Sequence, residues 1–142
     1  MLLAVSGSSM VHSLNLPGRL SDWSSLLGRE ALPVLEELGP GWVPVASDTD
    51  AEFKIYYYDG GLSLWSDGGR LVQLRLDSDW SGSCMGVRIG QSPDSLRRSA
   101  GEPWLEKDGS LYYNLPWNGG PVRLRFVFGA DGLREIYLYK VG

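Results

Sequence analysis

The only histidine in this sequence is His12 and the only thiol is Cys84. The side chains that most often serve as general base and nucleophile therefore occur once each, far apart in the chain. The carboxylates are more suggestive. In "LDSDWSGS", Asp77, Asp79, Ser81 and Gly82 fall at the first, third, fifth and sixth positions of a calcium loop. The twelfth position needs a bidentate Glu and holds Arg88. In "ASDTDAEF", Asp48, Asp50 and Glu52 are followed by Phe53 where the loop's sharp turn needs Gly. Both read as solvated acidic loops, and Glu36/Glu37 as a solvated pair on a helix. No G-x-S-x-G elbow, P-loop, H-E-x-x-H or C-x-x-C occurs. The expectation is a protein with no catalytic residue, cofactor or metal, a carboxylate-based hydrolase being the one enzymatic alternative.

Charge narrows the partners. The formal net charge of −4 argues against a general nucleic-acid binder, which needs a basic face for phosphates. Met1 to Leu71 carry four bases against nine acids, a balance of −5, while the remainder carries nine against eight, or +1. This asymmetry favours a basic protein partner meeting the first half. One cysteine excludes an intrachain disulfide. The opening "MLLAVSGSSM" lacks a basic n-region, and its apolar run of about five residues is shorter than a signal h-region. No run approaches the roughly 20 apolar residues of a membrane span. The sequence as given therefore predicts a cytoplasmic protein without membrane contact.

The elements that must position any site read as one unit written twice. "LPVLEELGPGW" places Val34, Leu35 and Leu38 at helical spacing before Gly39 and Trp42. "SPDSLRRSAGEPW" does the same with Leu96 and Ala100 before Gly101 and Trp104. A Gly just past a helix supplies the positive-φ cap, and a nearby Pro stops continuation. Ser92 is the N-cap candidate, with Pro93 at the first helical position and Asp94 in the first turn. In the earlier copy Ser21 or Asp22 would cap a helix through "WSSLLGREALPVLEEL", broken or kinked near Pro33.

The second landmark is a hairpin, "WSDGGRLVQLRL" against "FGADGLREIYLY". Matching Asp67-Gly68 to Asp131-Gly132 pairs Val72 with Ile136, Leu74 with Leu138, Leu62 with Phe126 and Leu64 with Phe128. Gly39 to Asp67 is then 28 positions and Gly101 to Asp131 is 30, which places two extra residues in the "NLPWNGGP" turn. Strands are predicted at "FKIYYY", "GLSLW" and "RLVQLRL", then at "GSLYYNL", "VRLRFVF" and "LREIYLY". "GWVPVAS" and "SGSCMGVRIG" read as linkers, with Cys84 a small half-buried residue between copies. Period-two alternation means one buried and one open face. The expected fold is α+β, one two-layer domain: an N-terminal segment 1–19 and helix–meander repeats 20–80 and 81–142, with helices on one face of an antiparallel sheet.

On the opposite phase this reading places Tyr56, Tyr58, Trp65, Gln73, Arg75, Tyr112, Tyr137 and Tyr139. Tyr is a good strand former in its own right. A cluster of Tyr and Trp interleaved with Arg, however, is the composition of an interface.

At "VRIGQSPDSLRRSAGEPW…DGSLYYNL…VRLRFVFGADGLREIYL" the chain resembles the bacterial SmpA/BamE-like module. There "hxhGxSxxxhxxxhGxP" precedes a meander ending in "F-x-x-D-G-x-h-x-x-I". Beta-lactamase-inhibitory-protein-like chains have two such modules in tandem, with the joined sheet curved around an enzyme. Immunity proteins that neutralise bacteriocins and secreted toxins are similar, with a "GLSL…GRLVQLRL"-like hairpin ahead of the helix. The resemblance spans most of the chain after about residue 30. The lipid-attachment cysteine typical of SmpA/BamE-family lipoproteins and the disulfides typical of the beta-lactamase-inhibitory-protein-like chains have no counterpart. The resemblance implies a non-enzymatic inhibitor, an immunity protein that occludes a cognate toxin. Its expected contacts are Tyr56, Tyr58, Trp65, Asp77, Asp79 and Trp80, with Tyr112 and Trp117 next. The alternative it implies is a BamE-like envelope scaffold or ligand-binding module.

Overall fold

The structure is a computed structural model that describes residues 23–39, 42–44, 53–58, 60–80, 83–84, 87–115 and 122–141. After a 3-10 turn Trp23–Leu26 come α1 (Ala31–Leu38), β1 (Trp42–Pro44), β2 (Phe53–Tyr58), β3 (Leu62–Asp67) and β4 (Arg70–Leu76). A two-stranded ribbon follows, β5 (Ser83–Cys84) with β6 (Val87–Arg88). Then come α2 (Pro93–Ala100), β7 (Leu105–Lys107), β8 (Ser110–Leu115), β9 (Val122–Gly129) and β10 (Gly132–Lys140). Eight strands form one antiparallel sheet in the order β1-β2-β3-β4-β10-β9-β8-β7. The fold is α+β, and the helix-then-strands pattern occurs twice. The two segments read as linkers contribute β1 and the β5–β6 ribbon.

The helix and the last two strands of each repeat correspond at an offset of 62 positions, the separation of Gly39 and Gly101, whereas β2 corresponds to β8 at 55. The same offset takes α1 onto α2 and Leu62, Leu64, Leu74 and Leu76 onto Leu124, Phe126, Ile136 and Leu138. It also matches the β-bulges, which leave Val72 and Arg134 as the extra residues. The alignment on Asp-Gly is therefore two residues out of register. The tight turns are Gly68–Gly69 and Ala130–Asp131, so the two Asp-Gly pairs sit at different turn positions. The lengths that differ are the β7–β8 turn, two residues against eight between β1 and β2, and the β8–β9 connection, six against three between β2 and β3.

One apolar core lies between the helices and the sheet. It takes Val34, Leu35 and Leu38 from α1, Leu96 from α2, and alternate strand positions such as Leu64, Leu74, Leu124, Phe126, Ile136 and Leu138. Ser92 caps α2 by accepting from Ser95 N, with Pro93 at the first position. The first helix departs from expectation. It begins at Ala31, so Pro33 lies in its first turn, where a missing N–H costs no helical bond. The interruption lies upstream, because backbone at 28–31 is diverted to β4. Gly28 N donates to Leu71 O, Leu71 N to Arg29 O, and Ala31 N to Gly69 O. Ser21 and Asp22, the expected caps, lie outside the described residues.

Both helices end on a glycine with positive φ and extended ψ, 86° and −176° at Gly39 and 89° and −173° at Gly101, a conformation essentially reserved for Gly. The carbonyls left open there are met by a tyrosine from the neighbouring strand. Tyr58 donates to Leu38 O at 2.6 Å and Tyr113 donates to Gly101 O at 2.7 Å. The two tyrosines are structural equivalents, since Tyr58 faces Leu62 and Tyr113 faces Leu124. Burial raises the Tyr113 pKa against the opposing charge of Arg97, and Glu102 adds to the rise. The phenol thus stays a donor throughout the neutral range.

This contact corrects the expected placement of two tyrosines on the open face. Tyr56 and Tyr58 lie on the helix-facing side of β2, at 7% and 8% exposure, and Ile55 and Tyr57 take the open side. Three consecutive tyrosines leave the phase of "FKIYYY" ambiguous by alternation, and the bond to the end of α1 fixes it. Trp80 is likewise buried at 3% rather than displayed on an acidic loop. Asp77 O accepts from Trp80 N, and this turn folds residue 80 back towards the core. Gly61 lets the turn close, because a Cβ there would lie 2.7 Å from Asp77 Oδ1 and from Trp80 N.

Tyr58→Phe and Tyr113→Phe should each lower stability by about 1 kcal/mol, the net value of a buried hydrogen bond. In urea the midpoint should fall with the slope unchanged. Unaltered midpoints in both variants would mean that the hydroxyls do not hold the helix ends.

Candidate functional site

The open face is organised by register. Tyr57 pairs with Ser63, Ser63 with Arg75, Arg75 with Tyr137, Tyr137 with Arg125, Arg125 with Tyr112, and Tyr112 with Leu105. These residues form one row across seven strands, and their side chains share a face because neighbours in register point the same way. A second row runs Ile55, Trp65, Gln73, Tyr139, Arg123 and Asn114. The central row alternates Arg and Tyr in its middle: the Arg125 guanidinium lies 5.6 Å from the Tyr137 ring centre and 5.8 Å from that of Tyr112, and Arg75 lies 5.9 Å from Tyr137. Arg123 lies 4.4 Å from the Trp104 ring, which is 57% exposed. Such contacts hold a planar cation against a ring and reduce the freedom of both.

Arg75 and Tyr137 are equivalent positions of the two repeats and face each other, so the local two-fold relating β4 and β10 passes between them. Arg75 donates to Glu135 at 2.6 Å, Asp77 lies 3.9 Å away, and Tyr137 donates to the other Glu135 oxygen at 3.4 Å. Burial alone would lower the Arg75 pKa, but the Glu135 hydrogen bond and the charges around it raise it. Burial would raise Glu135, and the Arg75 hydrogen bond and charge outweigh it, so its pKa is lowered. The charges of this centre are paired, although Arg75 Nε is buried without a hydrogen-bond partner among the described residues.

The second repeat is different. Arg123 donates to Asn114 at 3.0 Å and Arg125 to Ser110 at 3.2 Å, both neutral acceptors. Neither has a carboxylate partner among the described residues. The face therefore carries two positioned cations beside half-buried tyrosine rings.

Of the residues expected to make contact, Trp65 and Tyr112 lie half-buried on this face, in the second and central rows. Asp77 sits at its margin, and its carboxylate accepts from Asp79 N at 2.9 Å, a local turn that also holds the exposed Asp79. Tyr56, Tyr58 and Trp80 belong to the opposite, helix-packed side. Trp117 lies outside the described residues, as do His12, Asp48, Asp50 and Glu52. Arg123, Arg125 and Tyr57 join the face without having been singled out as contacts. The alternation of "VRLRFVF" already placed both arginines opposite the core set. Among the described residues no cluster of three or more His, Cys, Asp or Glu stands where it could hold a metal ion, and no helix is long and apolar enough to cross a membrane.

No protein-family model, curated protein or solved structure matches the chain.

The Arg75–Glu135 pair predicts an acid-sensitive join between the repeats. A depressed folded-state pKa adds stability above the unfolded value of about 4.5, and that stability is lost as pH falls through the folded value. Glu135→Gln should cost about 1–3 kcal/mol at neutral pH by leaving Arg75 underpartnered. It should also flatten the loss of stability below pH 4.5, measured by denaturant titration across pH. An acid limb as steep as that of the wild type would assign the sensitivity to other carboxylates.

Proposed function

We propose that this chain is a non-enzymatic, protein-binding inhibitor, an immunity protein that neutralises a toxin by laying its open sheet face over the toxin. The observation that carries the reading is the in-register Arg–Tyr row through the centre of the sheet. Tyr and Arg are the residues in which binding energy concentrates at interfaces. Rings already packed against guanidinium groups surrender little further entropy on docking. Eight strands at about 4.8 Å spacing make a face roughly 38 Å wide. Such a face can supply an interface of the order of 800 Å² per partner.

The charge of the face says what it would meet. Arg123 and Arg125 lie beside Tyr112, Tyr137 and Tyr139 and want carboxylates from the partner. Of the nine acids in the first half that suggested a basic partner, five (Asp22, Asp48, Asp50, Glu52 and Asp59) lie outside the described residues. Within a partner expected to be basic overall, the patch that meets these two arginines would be acidic, with apolar groups between its carboxylates. The SmpA/BamE-like resemblance agrees with a sheet face used as a clamp.

The test is affinity capture from the source organism's lysate and secreted fraction with the wild-type chain and with an Arg125→Ala/Tyr139→Ala variant, followed by an activity assay of the captured protein. The expected result is one stoichiometric partner whose toxic activity the wild type blocks. The variant should bind it at least about 30-fold more weakly, as for a hot spot of about 2 kcal/mol. Tyr58→Phe, altered on the other side of the sheet, should bind like the wild type. A partner retained equally by the face variant, or one whose activity is unaffected, overturns the reading.

A further inference from the structure

The two repeats differ most sharply at one core position. In the second repeat Phe128 stands at the end of β9 and packs against the core. Its equivalent at the offset of 62 is Ser66, at the end of β3 beneath the start of α1. Opposite Phe128 is Gly109, whose carbonyl accepts from Phe128 N, and opposite Ser66 is Lys54. Replacing an aromatic ring by a hydroxymethyl group removes most of a side chain. Tyr56, in place of Leu111, fills only part of the space. What remains is a cleft of about 400 Å³ between α1 and the β3–β4 turn, with Ser66 at its floor and Lys54, Arg70, Glu30, Leu32 and Tyr56 among its walls.

The cleft is chemically uneven. Ser66 is 1% exposed, so a small side chain stands at the floor where the other repeat has an aromatic ring. Lys54 and Arg70 bring two cations to the rim, against the single carboxylate of Glu30, 3.9 Å from Arg70 in an exposed pair. The first turn of α1, which has no side-chain cap, adds its positive end. Leu32, 66% exposed, supplies an apolar lip.

We propose that this cleft binds a small aromatic carboxylate. The ring would take the place that Phe128 fills in the other repeat, and the carboxylate would lie between Lys54 and Arg70. The site is on the helix side of the sheet and is independent of the open face. Either a free aromatic acid or the C-terminal Phe of a peptide presents this chemistry.

The probe is 3-phenylpropionate, titrated into the full-length chain by NMR. Saturable shifts are expected at the amides of Lys54, Ser66, Gly69 and Arg70. Ser66→Phe, which restores the ring of the second repeat, and Lys54→Gln should each weaken binding at least about tenfold, as should the uncharged 3-phenylpropanamide. Thermal melts report whether Ser66→Phe folds, and if it does not, Lys54→Gln and the amide carry the comparison. Tighter binding of acetyl-Gly-Phe than of the free acid would point to a chain terminus as the natural source, and the reverse to a free acid. No saturable shift at millimolar probe, shifts confined to the open face, or equal binding by Lys54→Gln and by the amide would overturn the proposal.

Discussion

The architecture depends on one strand pairing, that of β4 with β10. Each repeat alone would be a four-stranded meander ending on an uncovered edge, with β4 or β10 offering its unpaired backbone groups to any passing strand. Antiparallel pairing of Leu76 with Ile136 and of Leu74 with Leu138 closes both edges at once and makes the two cores continuous. The join is local in space but not in sequence, so it forms only when both meanders are in phase. Its centre holds a partly buried cation. Arg75 would be expensive there alone, and Glu135 from the other repeat offsets the cost, so the ion pair ties registration of the repeats to charge balance.

Phase is the second constraint, and the tyrosine–helix contacts set it. A one-residue slip of β2 would exchange its buried and open side chains, yet its three tyrosines are nearly equivalent to a hydrophobicity scale. What distinguishes them is a directional bond: only a tyrosine at position 58 meets the carbonyls at the end of α1. The same bond recurs from Tyr113 although the loops around it differ in length, because helix end and strand are the parts that must meet. The insertions and deletions are confined to connections, where loop length costs little.

These constraints explain what could be read in advance. Strand alternation, the helix–Gly–Trp element and the Ser92 cap depend on local preferences, and each lies where those preferences put it. Assigning Trp65, Gln73, Arg75, Tyr112, Tyr137 and Tyr139 to an open face was possible because their strands have unambiguous alternation. The misplacement of Tyr56, Tyr58 and Trp80 has non-local causes: a hydrogen bond across 20 positions for Tyr58, and for Trp80 a turn that closes only over Gly61. The repeat was legible but its register was not. Asp-Gly is a strong hairpin signal wherever it occurs, whereas the position of the bulge, which carries the true correspondence, has no residue signature in either copy. The short edge strand at Trp42–Pro44 was hidden for the same reason, being a strand only because β2 lies beside it.

The two repeats make different use of equivalent positions. In the two strands facing one another across the two-fold, equivalent sites hold Arg75 and Tyr137, and the pair is complementary because the two residues differ: two arginines would repel there, and two tyrosines would leave Glu135 without its cation. Beyond that centre, the second repeat keeps a tight core and spends its open face on arginines between rings. The first keeps a neutral open face and loosens its core at Ser66. A symmetric protein could present only the same surface twice. Here the asymmetry places positioned cations on one side of the sheet and a cleft with a charged rim on the other, so the two faces share none of these residues.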